Sequence, residues 1–73
     1  LSYNLIKEVI TKLNVDIILT KEIKKASLII GLKKHLQQNQ KLQILAKQKN
    51  IPIYGVSRSS VYQLTKLLQF IML

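Results

Sequence analysis

Residues 51–61, "IPIYGVSRSSV", are the stretch on which the interpretation of the fold depends. They begin as an apolar run typical of a buried strand, pass through a polar tetrad at 57–60, and become apolar again. Pro52 is compatible only with the start or the edge of a strand. Ser59 or Ser60 can cap a helix whose apolar face recurs at Val61, Leu64, Leu67, Leu68 and Ile71. The stretch therefore predicts a strand, a polar turn and a helix in succession.

Two more apolar runs, "VDIILT" at 15–20 and "SLIIGL" at 27–32, have the same character. Their apolar residues are continuous rather than alternating with polar ones, which favours strands that are covered on both faces, as in parallel sheets. With 51–56 they make three predicted strands. We expect their interior positions to be buried, together with one position of the last helix: Ile17, Leu19, Ile29, Ile53 and Leu64.

Helical spacing fills the segments between these runs. A first helix is predicted from the apolar positions Leu1, Leu5, Ile6, Val9, Ile10 and Leu13, with Ser2 and Asn14 at its ends. A short helix is predicted over 21–26 after Thr20, and another between Asn39 and Asn50. Alternating strands and helices predict a small three-layer α/β domain with a three-stranded parallel sheet flanked by helices.

Length and composition limit the classes of function. The 73 residues make one domain, 1–73, and the lack of an initiator Met or a signal-peptide pattern indicates a piece excised from a larger protein. No apolar run is long enough to span a membrane. The absence of cysteine excludes a thiolate nucleophile or metal site, and with only Gly31 and Gly55 there is no glycine-rich phosphate loop. The sequence predicts no catalytic residue, no metal site and no cofactor in this chain.

The formal net charge of +9 favours polyanionic partners, although lysine enrichment can also reflect codon bias. In an open parallel sheet, ligands bind beyond the carboxyl ends of the strands. Basic or hydroxyl side chains follow all three predicted strands, and the helices that begin there add backbone N–H donors. We therefore predict a nucleic-acid or phosphate site at this edge of the sheet, formed by Lys21, Lys33, Lys34, His35, Ser57, Arg58 and Ser59.

Each residue of this site also has a plainer interpretation. Arg58, the only arginine, is suited to a bidentate phosphate contact, but it can also be a solvated surface charge. His35 lacks a neighbouring carboxylate in the sequence and is expected on an exposed turn. Tyr3 and Tyr62 lie on different predicted helices and predict no base-stacking platform.

Residues 16–68 resemble a known family in "DIILT", "EIKKASLIIGLKKH", "QILAKQKNIPIYGV" and "VYQLTKLL". The family comprises plastid and cyanobacterial AAA-type ATPases of the hypothetical chloroplast reading frame (ycf) kind. They are related to stage III sporulation protein AA and carry an Arg-x-x-x-His domain that binds single-stranded nucleic acid. The resemblance implies an auxiliary α/β domain, with ATP and Mg²⁺ bound only by the parent protein. It also implies location in a plastid or in the cytoplasm of a cyanobacterium.

The leading hypothesis is a non-enzymatic accessory domain that binds single-stranded DNA or RNA at the basic edge. The alternative is a protein-interaction or oligomerisation domain that packs against the parent ATPase or its own copies. The apolar C-terminal stretch "LLQFIML", 67–73, favours this alternative because its side chains cannot all face one core. A small phosphate-ligand or phosphocarrier enzyme is a third class, supported only by analogy of fold.

Overall fold

The computed structural model describes residues 2–72. Leu1, expected on the apolar face of the first helix, and Leu73, at the end of the apolar C-terminal stretch, lie outside the described residues. Four helices and two strands follow one another, with a 3-10 turn at Ile23–Lys25. In chain order they are α1 (Tyr3–Leu13), β1 (Ile29–Leu32), α2 (Lys33–Gln38), α3 (Gln40–Gln48), β2 (Ile53–Val56) and α4 (Val61–Met72).

The predicted helix ends are confirmed by local hydrogen bonds and backbone angles. Ser2 Oγ accepts a hydrogen bond from the Leu5 amide at 3.4 Å, and α1 ends at Asn14 with φ 53°. Asn39 Oδ1 accepts from the Leu42 amide at 3.1 Å, so it begins α3. Asn50, with φ 56°, follows the end of α3. Asparagine tolerates the left-handed conformation better than most residues, which is why it can end two of these helices.

The two strands are parallel, as predicted, and their register runs from Ile29 opposite Ile53 to Leu32 opposite Val56. The segment between them forms α2 and α3, which makes the connection that a parallel pair requires. The α/β class is therefore confirmed. The prediction of three strands is wrong, because the sheet that the described residues form has only β1 and β2.

Residues 15–20 are the predicted strand that is missing from the sheet. Their burial alternates along the chain, with Ile17 half-buried against the core and Ile18 89% exposed. The Ile17 amide donates to the Val15 carbonyl oxygen at 3.1 Å, which is a local turn contact and not a bond to a strand. The apolar pattern thus reflects one face lying on the core rather than two covered faces.

Helices lie on both faces of the sheet. On one side, Leu64 and Leu68 of α4 and Val9 of α1 form the fully buried cluster, and Ile30 of β1 packs against it. On the other side, Leu36 of α2 lies against β1 and β2. Of the positions predicted to be buried, Leu64 is fully buried, and the others are half-buried: Ile17, Leu19, Ile29 and Ile53.

Helix α2 was not predicted. Its sequence, "KKHLQQ", has one apolar residue, Leu36, which is too little for a helical periodicity. Leu36 nevertheless covers both glycines of the sheet, and the stem of Lys33 also lies against Gly55, so α2 packs on the sheet without a periodic apolar face. Within residues 2–72, no helix is both long and apolar enough to cross a membrane.

Candidate functional site

The carboxyl ends of β1 and β2 lie side by side. Leu32 is the last residue of β1 and Val56 the last of β2, and the register pairs them. The next residues along the two strands, Lys33 and Ser57, therefore leave the sheet at neighbouring positions. Neighbouring strands are about 4.8 Å apart, so these two exits can contact adjacent groups of one ligand.

Lys33 is held at this edge by a close contact with β2. A Cβ atom built on Gly55 would lie 2.6 Å from Lys33 Cγ and 3.4 Å from Lys33 Cα. The methylene stem of Lys33 thus occupies the space that any side chain at residue 55 would fill. Glycine at this position therefore lets the start of α2 pack closely on β2.

The loop after β2 is hydrogen-bonded to Gln63, which lies in the first turn of α4. Gln63 Oε1 accepts hydrogen bonds from the Ser57 amide at 2.9 Å and the Arg58 amide at 3.2 Å. The backbone amide of Gln63 in turn donates to Ser60 Oγ at 3.4 Å. This is a variant of the capping box, in which the glutamine reaches past the cap to the two residues that follow the strand. The loop is therefore fixed, and Ser60 rather than Ser59 is the cap.

The cationic and hydroxyl groups of this edge face water. Lys33 and Lys34 open α2, and Ser57, Arg58 and Ser59 form the loop before α4, and all five are exposed. We call these five residues the basic edge. The two salt bridges found among residues 2–72, Lys12–Glu8 and Lys25–Glu22, involve none of them. His35 is exposed on the first turn of α2, in a helix rather than the expected turn.

Lys21 is the predicted site residue that the structure does not bring to the basic edge. It was expected at the end of a third strand, and no strand forms over 15–20. Its ammonium lies over the ring of Tyr3 on α1, 5.2 Å from the ring centroid. Thr20, just before it, accepts a hydrogen bond from the Glu22 amide at 3.1 Å, a local turn contact. Cationic and hydroxyl side chains therefore follow two strands, β1 and β2, and not the three that were predicted.

Charge is distributed unevenly along the chain. All three acidic residues, Glu8, Asp16 and Glu22, lie in residues 1–22, where three lysines balance them. Residues 23–73 contain nine basic residues and no acidic one, so the whole net charge of +9 belongs to this part. It includes both strands, α2, α3 and α4. No carboxylate of the chain is therefore close in sequence to the basic edge.

The groups that commonly bind metals or act as nucleophiles can be checked among the described residues. Residues 2–72 contain no group of three or more His, Asp or Glu side chains that could hold a metal ion. The chain has no cysteine. Within residues 2–72, no hydrogen bond joins the hydroxyls of Ser57 and Ser59 to His35.

Comparison with known proteins identifies the family. The family model described as "Phosphotyrosine protein phosphatase" matches residues 1–72. The chain belongs to the phosphotyrosine protein phosphatase family. It is also 43% identical over 72 residues to a protein of Porphyra purpurea named "Uncharacterized protein ycf45". That match covers 99% of this chain but 13% of the relative, so the chain corresponds to a small part of the relative's length. No solved structure matches the chain.

These findings correct the resemblance drawn from the sequence. The expected family was a AAA-type ATPase, whereas the family that matches is a phosphatase family, and nothing in the comparisons points to an ATPase domain. The parent ATPase as a partner, and the ATP and Mg²⁺ that it implied, are no longer supported. The motifs quoted for the resemblance are mostly apolar strand and helix segments, which recur in unrelated α/β proteins.

Gln63 is the residue of the site that sequence reasoning missed. The spacing Ser60-x-x-Gln63 is itself a sequence signal, because a hydroxyl followed three residues later by Glu or Gln predicts a capping box. The sequence could not reveal that the glutamine would reach back to the amides of Ser57 and Arg58. That contact depends on the angle between β2 and α4.

Proposed function

We propose that this chain is a non-enzymatic domain that binds single-stranded nucleic acid by its phosphates, using the basic edge. The observation that carries the proposal is the pairing of Leu32 with Val56, which brings Lys33 beside the loop containing Arg58. An ammonium, a guanidinium and two serine hydroxyls are suited to phosphate oxygens. The family name, which refers to phosphotyrosine, supports a phosphate group as the chemistry that such a fold can recognise.

Two features favour a polyanionic chain over a single small phosphate. The excess of nine basic residues over residues 23–73 gives a field that extends beyond one contact. The basic edge is also open, because its five residues are all exposed. Two exits about 4.8 Å apart suit successive phosphates along one strand of a nucleic acid.

The experiment is a binding titration with a fluorescently labelled single-stranded oligonucleotide. The variant of the basic edge replaces Lys33, Lys34 and Arg58 with Ala. The matched control replaces Lys7, Lys47 and Lys49, which are exposed and remote from the strand exits: Lys7 lies on α1, and the other two precede the amino end of β2. Both variants lose three charges. Loss of binding in the first and not in the second supports a site, and equal losses would mean diffuse charge attraction.

A second candidate function is hydrolysis of a phosphotyrosine ester, which the family match favours. Against it, the chain lacks a thiol, and its loop serines lack a base among the described residues. Turnover of p-nitrophenyl phosphate and of a phosphotyrosine peptide tests this candidate. If the chain turns these substrates over, Arg58→Ala abolishes the turnover and the control variant keeps it, the chain is a phosphatase and our proposal is wrong.

The cellular setting that we propose is a plastid. The Porphyra purpurea relative carries a name of the chloroplast reading-frame type, and Porphyra is a red alga. The enrichment of lysine, isoleucine and asparagine over arginine and alanine agrees with an AT-rich genome.

A further inference from the structure

Helix α4 carries two exposed aromatic rings on its outer side. Tyr62 and Phe70 are each 70% exposed, and Lys66 lies midway between them and is also exposed. The spacing of four residues places all three on one ridge of the helix. We call Tyr62, Lys66 and Phe70 the aromatic ridge. Leu64 and Leu68, on the opposite side of α4, are fully buried, so the helix is anchored without using the ridge.

The ridge combines a cation with its rings. The Lys66 ammonium lies 5.6 Å from the centroid of the Tyr62 ring. An ammonium at this distance is attracted to the ring, which restrains both side chains while leaving much of each accessible. With a rise of 1.5 Å per residue, Tyr62 and Phe70 are about 12 Å apart along the helix. They therefore offer two separate flat surfaces with a positive charge between them.

The ridge starts where the basic edge ends. Arg58 and Ser59 are separated from α4 only by its cap, Ser60, and Tyr62 lies in the first turn of that helix. If the phosphates of a polymer contact the basic edge, the groups attached to its backbone lie within reach of the ridge. The charge of this region is wholly positive, because residues 23–73 contain no acidic side chain. The complementary ligand is therefore an anionic polymer that carries flat rings.

We propose that the aromatic ridge stacks the bases of a single-stranded nucleic acid, and that this surface makes the domain prefer single strands to duplexes. The inference rests on the function proposed above, and it adds the base-binding surface. Bases stack on exposed aromatic side chains in proteins that bind single strands, and basic residues beside the rings hold the backbone. In a duplex the base faces are covered by their neighbours and cannot reach Tyr62 or Phe70. Because every base has a flat face, the preference is for unpaired bases and not for one sequence.

The test compares a base-bearing oligonucleotide with an abasic strand of the same length, which keeps the phosphates and lacks the bases. The ridge variants are Tyr62→Ala and Phe70→Ala, and the matched control is Tyr3→Ala. Tyr3 is also exposed and also has a lysine over its ring, Lys21 at 5.2 Å, but it lies on α1. Loss of one stacked base should weaken binding of the base-bearing strand about tenfold. Affinity for the abasic strand should stay unchanged, and Tyr3→Ala should have no effect on either strand.

Two additions keep the result interpretable. Tyr62→Phe retains the ring and should restore the affinity that Tyr62→Ala loses. Because the chain has no tryptophan, Tyr62→Trp introduces a single reporter, whose fluorescence should be quenched by the base-bearing strand and not by the abasic one. Equal losses for the two strands, or no loss for either, would overturn the stacking surface while leaving phosphate binding intact. Failure of the unaltered chain to bind either strand would refute the proposed function itself. An oligomer that dissociates in Phe70→Ala would assign the ridge to a protein contact and overturn the inference.

Discussion

Lys33 and Gly55 are in contact across the carboxyl ends of the two strands. The missing side chain of Gly55 leaves space that the stem of Lys33 fills, with Lys33 Cγ 2.6 Å from where a Cβ at residue 55 would be. Real Cβ contacts are not that short, so a side chain at residue 55 must displace Lys33. The position of a cation at the basic edge thus depends on a glycine of the neighbouring strand.

Gly55→Ala should therefore destabilise the fold and weaken binding of a single-stranded oligonucleotide, because Lys33 has to change its rotamer. In a Lys33→Ala background the atom that clashes is absent, so the same substitution should cost less. We expect a coupling energy between the two substitutions of about 0.5–3 kcal/mol in the free energy of unfolding. Urea denaturation of the four proteins of the double-mutant cycle measures it. Strictly additive costs would show that the contact does not position Lys33.

The cap of α4 can be assigned to one serine. Ser60→Ala should lower the free energy of unfolding by about 1 kcal/mol, since Ser60 Oγ accepts from the Gln63 amide. Ser59→Ala and Arg58→Ala should change stability by less than about 0.5 kcal/mol, because both side chains are exposed. Chemical denaturation of the three variants measures the difference. If Arg58→Ala were as costly as Ser60→Ala, Arg58 would be a structural residue and not a free phosphate ligand.

The segment 15–20 gives opposite expectations for two adjacent isoleucines. Ile17 packs against the buried cluster, so Ile17→Ala should cost on the order of 1–2 kcal/mol, less than for a fully buried isoleucine. Ile18 is 89% exposed, and Ile18→Ala should be neutral within about 0.5 kcal/mol. Thermal or urea unfolding of the two variants provides the comparison. Comparable losses at both positions would mean that the segment is covered on both faces, as the sequence alone had predicted.

The contrast between these isoleucines shows what the sequence could specify. The run "VDIILT" is apolar without alternation, and the strand covered on both faces that it predicts does not form; the burial of this segment alternates instead. Whether the backbone of this segment pairs with another strand depends on residues distant in the sequence. Here the Ile17 amide bonds locally to the Val15 carbonyl oxygen, and the segment is not part of the sheet. The helix ends at Asn14 and Asn39 were predictable since their chemistry is local.

Some residues of the candidate site could be predicted from the sequence, and others depend on how the elements pack. Lys33 and Ser57 could be brought together from the sequence, since both follow strands and parallel strands end at one edge. The prediction that Lys21 joins this edge is wrong because the strand expected before it does not form. The role of Gln63 in fixing the loop, and the shared ridge of Tyr62 and Phe70, depend on how α4 packs through Leu64 and Leu68.

The central claim is that the basic edge is a phosphate site, and the salt dependence of binding tests it most directly. Affinity for a single-stranded oligonucleotide is measured at several salt concentrations for three proteins: the unaltered chain, the variant with Ala at Lys33, Lys34 and Arg58, and the charge-matched control with Ala at Lys7, Lys47 and Lys49. Each phosphate neutralised on a single strand contributes roughly 0.7 to the slope of log K against log salt. With about three phosphates held, the first variant should have a slope lower in magnitude by about two units, and the control should keep the slope of the unaltered chain. Equal slopes for the two variants, or no binding by the unaltered chain near physiological salt, would contradict the account.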